Sequence, residues 1–231
     1  MVSRSADHTE VQAGAQRRAS APGALHADHA AIDQASSLAR SARVFAAHSH
    51  ARQRRHSDGA PFIEHPLEVA RLLRGAGCSD VVVAAGLLHD IVENTHVSLD
   101  ELSARFGAPV AGLVRAVSDD PSLQSYRQRK RMLREQVRGA GGDGAVLFAA
   151  DKIAKVRELP DQVRRDKVRV DATARGRRPR SSRLDQDHEL RHEHYRLSLE
   201  MLEQVIPGHP LVRRLARELD DCPIDRDSSS A

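Results

Sequence analysis

The stretch from Asp80 to Thr95, DVVVAAGLLHDIVENT, constrains the fold more than any other. Val81 to Leu88 carry no polar side chain, and a helix that is apolar nearly all round sits at the centre of a protein. The run falls well short of the ~20 residues that span a bilayer, and His89-Asp90 breaks it. At about 100° per residue, His89, Asp90, Glu93 and Asn94 lie at about 0°, 100°, 40° and 140°, one polar arc on an apolar rod. Hiding four polar groups costs free energy unless something binds them. A metal ion is the natural partner, because an adjacent imidazole and carboxylate both reach a cation above their shared edge. The plainer alternative is a helix end whose polar residues are solvated.

The rest of the chain reads as helices around this one, with no sustained strand alternation, so an all-α domain is expected. Its 231 residues suit one domain with its own core. Residues 1–27 are rich in Ala, Gly, Ser, Arg and Gln without periodicity and are expected to be a disordered tail. Order is expected from Asp28, with Ile32, Ala35, Ala39, Ala42 and Ala46 on one face of a first helix. The basic loop RQRRHSDGAP leads to a second helix opened by Pro66 and closed by Gly77. Asp80 is the expected cap of the third. Ser98-Leu99-Asp100-Glu101 is a capping box for a short helix stopping at Gly107, and Pro109 starts the next. Asp120-Pro121 reads as a cap before the basic SYRQRKRMLREQVR, which RGAGGDG breaks. AVLFAADKIAKVREL follows, and Pro160 is expected to end it. Residues 161–187, polar and Arg-rich, are expected to form a mobile basic loop. LRHEHYRLSLEMLEQV and PLVRRLARELD complete a domain spanning 28–220, with 221–231 disordered.

Composition narrows the partners. Thirty-six basic against 32 acidic residues give +4, and four Phe, two Tyr and no Trp leave little for base stacking. A small anionic ligand therefore fits better than a nucleic acid polymer. Cys78 and Cys222 make neither a disulfide framework nor a thiolate metal site, and the opening residues carry Asp7 and Glu10 without an apolar core. The expectation is a cytoplasmic protein with no membrane partner, its oligomeric state left open.

Two more residues join the polar arc. His65 precedes a proline at the mouth of the second helix, and Asp151 lies in the apolar AVLFAADKI, where a solvated carboxylate is out of place. Two imidazole nitrogens and two carboxylate oxygens suit one Mn²⁺-like ion with open positions. Such an ion lowers the pKa of water, and Glu93, one turn from His89, is placed to orient or deprotonate it.

Four segments in order, RRHSDGAPFIEHPLEVARLL, GLLHDIVENT, FGAPVAGLVRAVSDD and AADKIAKVREL, resemble the hydrolase domain of the RelA/SpoT family of HD-domain phosphohydrolases. The SDD before a basic helix and the HYR of a late helix are most similar to its small alarmone hydrolases. The resemblance spans about residues 30–205. It implies a compact HD/PDEase-like helical bundle of about nine helices. The implied activity is Mn²⁺-dependent hydrolysis of ppGpp and pppGpp to GDP or GTP and pyrophosphate, ending the stringent response. It places metal ligands on His65, His89, Asp90 and Asp151, and the catalytic acidic pair on Glu93 and Asn94. Substrate contacts fall on Arg55, His56, Lys155, Arg157 and Tyr195, with Arg191 one turn before the tyrosine.

Three of these positions depart from the family pattern. Asn94 replaces Asp and forms hydrogen bonds but carries no proton. His56 replaces Lys, which makes phosphate binding pH-sensitive near neutrality. Lys155 replaces Asn and adds a cation one turn after Asp151. They motivate two alternatives: a phosphohydrolase for another nucleotide, such as a nucleoside phosphate or NADPH, and a non-catalytic alarmone sensor. The helix bearing Arg127, Arg129, Lys130, Arg131 and Arg134 is either a solvated face or an electropositive rim, with Lys130 and Arg131 touching phosphate.

Other signals are set aside. His188-Glu189-Leu190-Arg191-His192 matches HExxH, but its flanks lack an apolar face and no third ligand follows. Gly139, Gly141 and Gly144 match GxGxxG behind a charged helix rather than a strand. His48 and His50 are expected at the surface.

Overall fold

The computed structural model describes residues 37–173 and 181–222. The 1–27 tail, the start at Asp28 and residues 223–231 lie outside the described residues. Ten helices and no strand stand among those described. They are α1 (Ser37–Ser49), α2 (Glu64–Gly75), α3 (Asp80–Leu88), α4 (Ile91–Asn94) and α5 (Leu99–Phe106). There follow α6 (Ala108–Val117), α7 (Tyr126–Ala140), α8 (Gly142–Thr173), α9 (Ser181–Val205) and α10 (Pro210–Asp220).

The apolar α3 is central, as its composition predicts: Val82 to Leu88 are all buried, and the helix packs against α1, α2, α6 and α8. The alanine stripe Ala39, Ala42 and Ala46 of α1 is likewise buried, letting that helix lie close. Gly86 does the same for α2, since a Cβ there would fall 2.5 Å from Leu73 Cδ1 and 3.3 Å from Val69 Cγ1. The first half of α8 is a second buried rod, with Ala145, Leu147, Phe148, Ala149, Ala150, Ile153 and Ala154 all inaccessible to solvent. Burying each leucine or phenylalanine of these rods contributes roughly 1.5–3 kcal/mol. Their side-by-side packing brings Asp151 of α8 to the end of α3, where His89 and Asp90 follow.

Several boundaries differ from the sequence reading. Ser79 rather than Asp80 caps α3, its Oγ accepting from Val82 N. Ser125 rather than Asp120 caps α7, and Asp120 instead closes a turn through Ser122 N and Oγ. The Ser98 cap of α5 is observed, and Gly141, at φ +78°, separates α7 from α8. DVVVAAGLLHDIVENT is not one helix: α3 stops at Leu88, and Asp90 takes φ −91°, ψ −2°, a sparsely allowed region where active-site residues gather. His89 and Asp90 are thereby buried while Glu93 and Asn94 are exposed, so the polar arc is split.

The largest difference follows Pro160. An interior proline removes one helical hydrogen bond and crowds the preceding turn, at about 3 kcal/mol, yet α8 runs through it to Thr173. Residues 161–173 and 181–187 are helical rather than loop; 174–180 lie outside the described residues. Tertiary contacts hold the extension. Val163 packs on the core, Asp166 is buried, and Arg165 lies against Gly59 of the basic loop.

Candidate metal centre and its surroundings

His65 enters from the first turn of α2, His89 and Asp90 from the end of α3, and Asp151 from the middle of α8. All four are buried. His65 Nε2 lies 3.3 Å from His89 Nε2, 3.2 Å from Asp151 Oδ1 and 3.5 Å from Asp90 Oδ2. His89 Nε2 lies 3.3 Å from Asp90 Oδ1 and 3.4 Å from Asp151 Oδ1. Among the described residues, His65, His89 and Asp151 form the one group of three or more whose ligand atoms converge closely enough for an ion. Asp90 stands against it.

The outer nitrogens fix what these rings present. His89 Nδ1 lies 2.8 Å from Gly86 O, and a carbonyl only accepts, so Nδ1 carries the hydrogen. His65 Nδ1 likewise donates to Glu158 Oε1 at 2.9 Å. In the neutral rings both Nε2 lone pairs therefore face each other and two carboxylates, an arrangement that calls for a cation. The same anionic surroundings draw protons to these rings, which a metal must displace to bind. Burial opposes charge on either ring, yet Asp151 and Glu158 raise the pKa of His65, and Asp90 and Asp151 push His89 up to about 10. Burial likewise opposes the charged carboxylates, but His89 and Lys155 hold Asp90 below its ordinary range. Lys152 and Lys155 do the same for Asp151. A mixed imidazole and carboxylate set of this kind fits a divalent transition ion.

Cations surround the group. The buried Lys152 Nζ is 2.6 Å from Asp151 Oδ2, and burial brings it down to about 8. Lys155 Nζ is 3.0 Å from Asp151 Oδ1 and 3.8 Å from Asp90 Oδ1. Lys155, on the α8 face that carries Asp151, also feels Tyr195 and Glu93. Tyr195 is buried, and Arg191 acts on both it and Tyr126. Glu93 is exposed, its Oε1 accepting from Asp119 N at 2.6 Å. Asn94 is joined to the loop by its carbonyl, which accepts from Gln53 Nε2 at 2.7 Å.

The loop between α1 and α2 is pinched by a bridge between Arg54 and Pro61. Arg55 pairs with Asp58 and lies 3.5 Å from Glu158. His56 Nε2 meets Asp166 Oδ1 at 2.9 Å, and His188 Nε2 meets the other oxygen of that carboxylate at 3.1 Å. His188 and His192, whose HExxH match was set aside because its flanks lack an apolar face, are buried; His188 serves the α8 extension. His50, expected at the surface, is also buried, against Phe62 and Gln53.

Not every expected substrate contact faces the cluster. Arg157 is turned away from the cluster, paired with Glu68 and Glu218, and lines a 550 Å³ groove with Arg71, Arg214 and Arg217. Six residues beyond Asp151, it lies about 120° from it around the helix, and two carboxylates on α2 and α10 claim it. On α7, Lys130 and Arg129 are held by Asp119, Arg127 by Glu193 and Arg134 by His194; Arg131 is exposed. Glu158, Tyr126, Asp119 and Asp166 escaped the sequence reading. Glu158 alone had a signal, lying seven residues after Asp151 and so on its face.

An HD domain family model matches residues 42–173. The chain belongs to the HD domain family, whose hydrolases use a divalent metal, and the expected all-α HD fold is observed. Within that family it is similar to the guanosine-3′,5′-bis(diphosphate) 3′-pyrophosphohydrolases MESH1 of Mus musculus and Homo sapiens, 45% and 44% identical over 118 residues. The match takes in 50% of this chain and 65% of each relative's length. A solved structure described as a metazoan ortholog of SpoT that hydrolyzes ppGpp and plays a role in starvation responses superimposes with TM-score 0.62. It is 26% identical, covering 83% of this chain and 96% of its own. No helix among the described residues is long and apolar enough to cross a membrane.

Proposed function

We propose that the protein is a Mn²⁺-dependent pyrophosphohydrolase of ppGpp and pppGpp, acting in the cytoplasm through a domain spanning residues 28–220. The observation that carries this reading is the convergence of two imidazole lone pairs and two buried carboxylates beneath a rim of lysines. His65, His89, Asp90 and Asp151 would hold the ion, whose Lewis acidity, when bound, polarises phosphate and acidifies water. The similarity to ppGpp hydrolases supplies the substrate.

The chain's own residues have distinct tasks. Glu93, fixed by Asp119 N, takes a proton from the attacking water. That water forms a bond to the phosphorus carried on the ribose 3′ oxygen; the bond to that oxygen breaks, the oxygen gains a proton, and pyrophosphate leaves. Asn94 orients by hydrogen bonding and relays no proton. Lys155 and Lys130, with Arg191, provide positive potential for the diphosphates, and Tyr195 offers an aromatic wall. Arg55 and His56 approach from the loop. Arg157 organises α2, α8 and α10 instead of touching substrate.

The test is purified protein with ppGpp and Mn²⁺, products resolved by ion exchange, with Asp90→Asn as blank. GDP and pyrophosphate, absent from the blank and abolished by chelation, are the expected result. Metal-loaded protein that binds ppGpp without turnover would make it a sensor. Cleavage of a nucleoside phosphate or NADPH in its place would reassign the substrate.

A further inference from the structure

Glu158 is not among the converging ligands, yet three parts of the site meet on it. It follows Asp151 by seven residues, two turns along α8 and nearly in line with it. Its Oε1 accepts from His65 Nδ1 at 2.9 Å and lies 3.5 Å from Arg55 Nη1. Its Oε2 accepts from Ser57 Oγ at 3.2 Å. His65 and Ser57 are buried, so neither polar group has ready access to water as a substitute partner.

We propose that Glu158 is a positioning residue that couples the metal centre to the basic loop. One carboxylate oxygen sets the tautomer and angle of a ligand imidazole, and the other holds the loop that carries Arg55 and His56. The inference rests on reading the His65–His89–Asp90–Asp151 cluster as a metal site. The physical ground is that an imidazole ligand presents Nε2 to an ion only if Nδ1 keeps its hydrogen. A carboxylate acceptor enforces that state and raises the basicity of the ring. Removing it leaves a buried N–H without an acceptor and lets the ring turn. Because the same carboxylate binds Ser57 and faces Arg55, a shift of the loop moves the ligand and loss of the ligand's geometry frees the loop.

The test uses Co²⁺ as the probe, its affinity and visible absorption measured on full-length wild type, Glu158→Ala, Glu158→Gln and Ser57→Ala. Far-UV circular dichroism confirms that each variant folds. Wild type is expected to bind one Co²⁺. Glu158→Ala weakens binding 10–100-fold and alters the absorption band. Glu158→Gln, which retains an acceptor for Nδ1–H but no charge, weakens it less. Ser57→Ala cuts the loop arm while leaving the acceptor of Nδ1–H in place, and through the coupling weakens binding by more than about threefold but less than Glu158→Ala; affinity equal to wild type would refute the coupling. In Zn²⁺-loaded protein the His65 Nδ1 proton is visible by NMR in wild type and lost in Glu158→Ala; a merely structural residue would move neither signal. Folded Glu158→Ala with wild-type affinity and spectrum overturns the proposal, as does wild type that takes up no Co²⁺. If wild type binds Co²⁺ and Glu158→Ala loses it while Mn²⁺-loaded wild type leaves ppGpp intact, the activity reading fails and this one stands.

Discussion

Asp166→Ala removes the carboxylate that joins the α8 extension to both the basic loop and α9. The bond to His188 connects two side chains that are 10% and 6% exposed, so its loss strands a buried imidazole and costs about 1.5–3 kcal/mol. The bond to His56 is discounted, because that ring is 53% exposed, to about 0–1 kcal/mol. Together they predict a loss of roughly 2–3 kcal/mol, which for a chain of this size lowers Tm by roughly 5–10 °C. Asp166→Asn keeps the shape and one acceptor and should lose about half as much. The pH dependence follows from the carboxyl itself: burial opposes its charge, but His188 and His56 outweigh that and hold its pKa below 3.8. A depressed carboxylate stabilises above its unfolded value and loses that contribution as pH falls through the folded one. The gap between wild type and Asp166→Ala should therefore be full at pH 7 and shrink below 3.8. Urea denaturation followed by far-UV circular dichroism measures it. A difference under about 0.5 kcal/mol at pH 7 would refute the claim that these contacts hold the helix beyond Pro160.

Phe148→Ala, at a fully buried position of α8, should lose about 3–5 kcal/mol in urea denaturation; a loss under 1 kcal/mol would contradict the packing described. Burial and the charges of Lys152, Lys130, Arg134 and Lys155 hold His194 well below 6.5, so the unfolded chain binds a proton that the native state refuses. Stability should fall as pH drops below 6.5, by up to about 1.4 kcal/mol per unit; His194→Leu should flatten that slope, and equal slopes would argue against it. Lys155→Asn removes an ammonium 3.0 Å from Asp151 Oδ1 and, with Asp151 as a proposed ligand, should raise Mn²⁺ affinity at least about tenfold by calorimetry; unchanged or weaker binding would contradict the charge reading.

The centre was legible because its polar residues stand in apolar surroundings. Asp151 within AVLFAADKI and His89-Asp90 after VVVAAGLL have no inexpensive bland explanation, and helix periodicity put them on faces that meet. Periodicity failed where partners distant in sequence decide the outcome. Arg157 turns away because Glu68 and Glu218 lie on its side of α8, and Pro160 is tolerated because Asp166 finds His56 and His188. Glu93 lies at nearly the same wheel angle as His89, but the break at Asp90 carries it to the surface. Buried histidines such as His188 and His194 look like surface residues in one dimension, since nothing local announces Asp166 or Arg134, and His50 is covered by Phe62, twelve residues on. Glu158 shares a face with Asp151, but which ring it meets depends on where α2 lies.

The most direct test of the account is to titrate Mn²⁺ into metal-stripped protein while following release of GDP from ppGpp. The account predicts no release without metal, a rise that saturates at one ion per chain, and no response in Asp90→Asn. Release that is indifferent to Mn²⁺, or a fully loaded protein that produces no GDP, would contradict it.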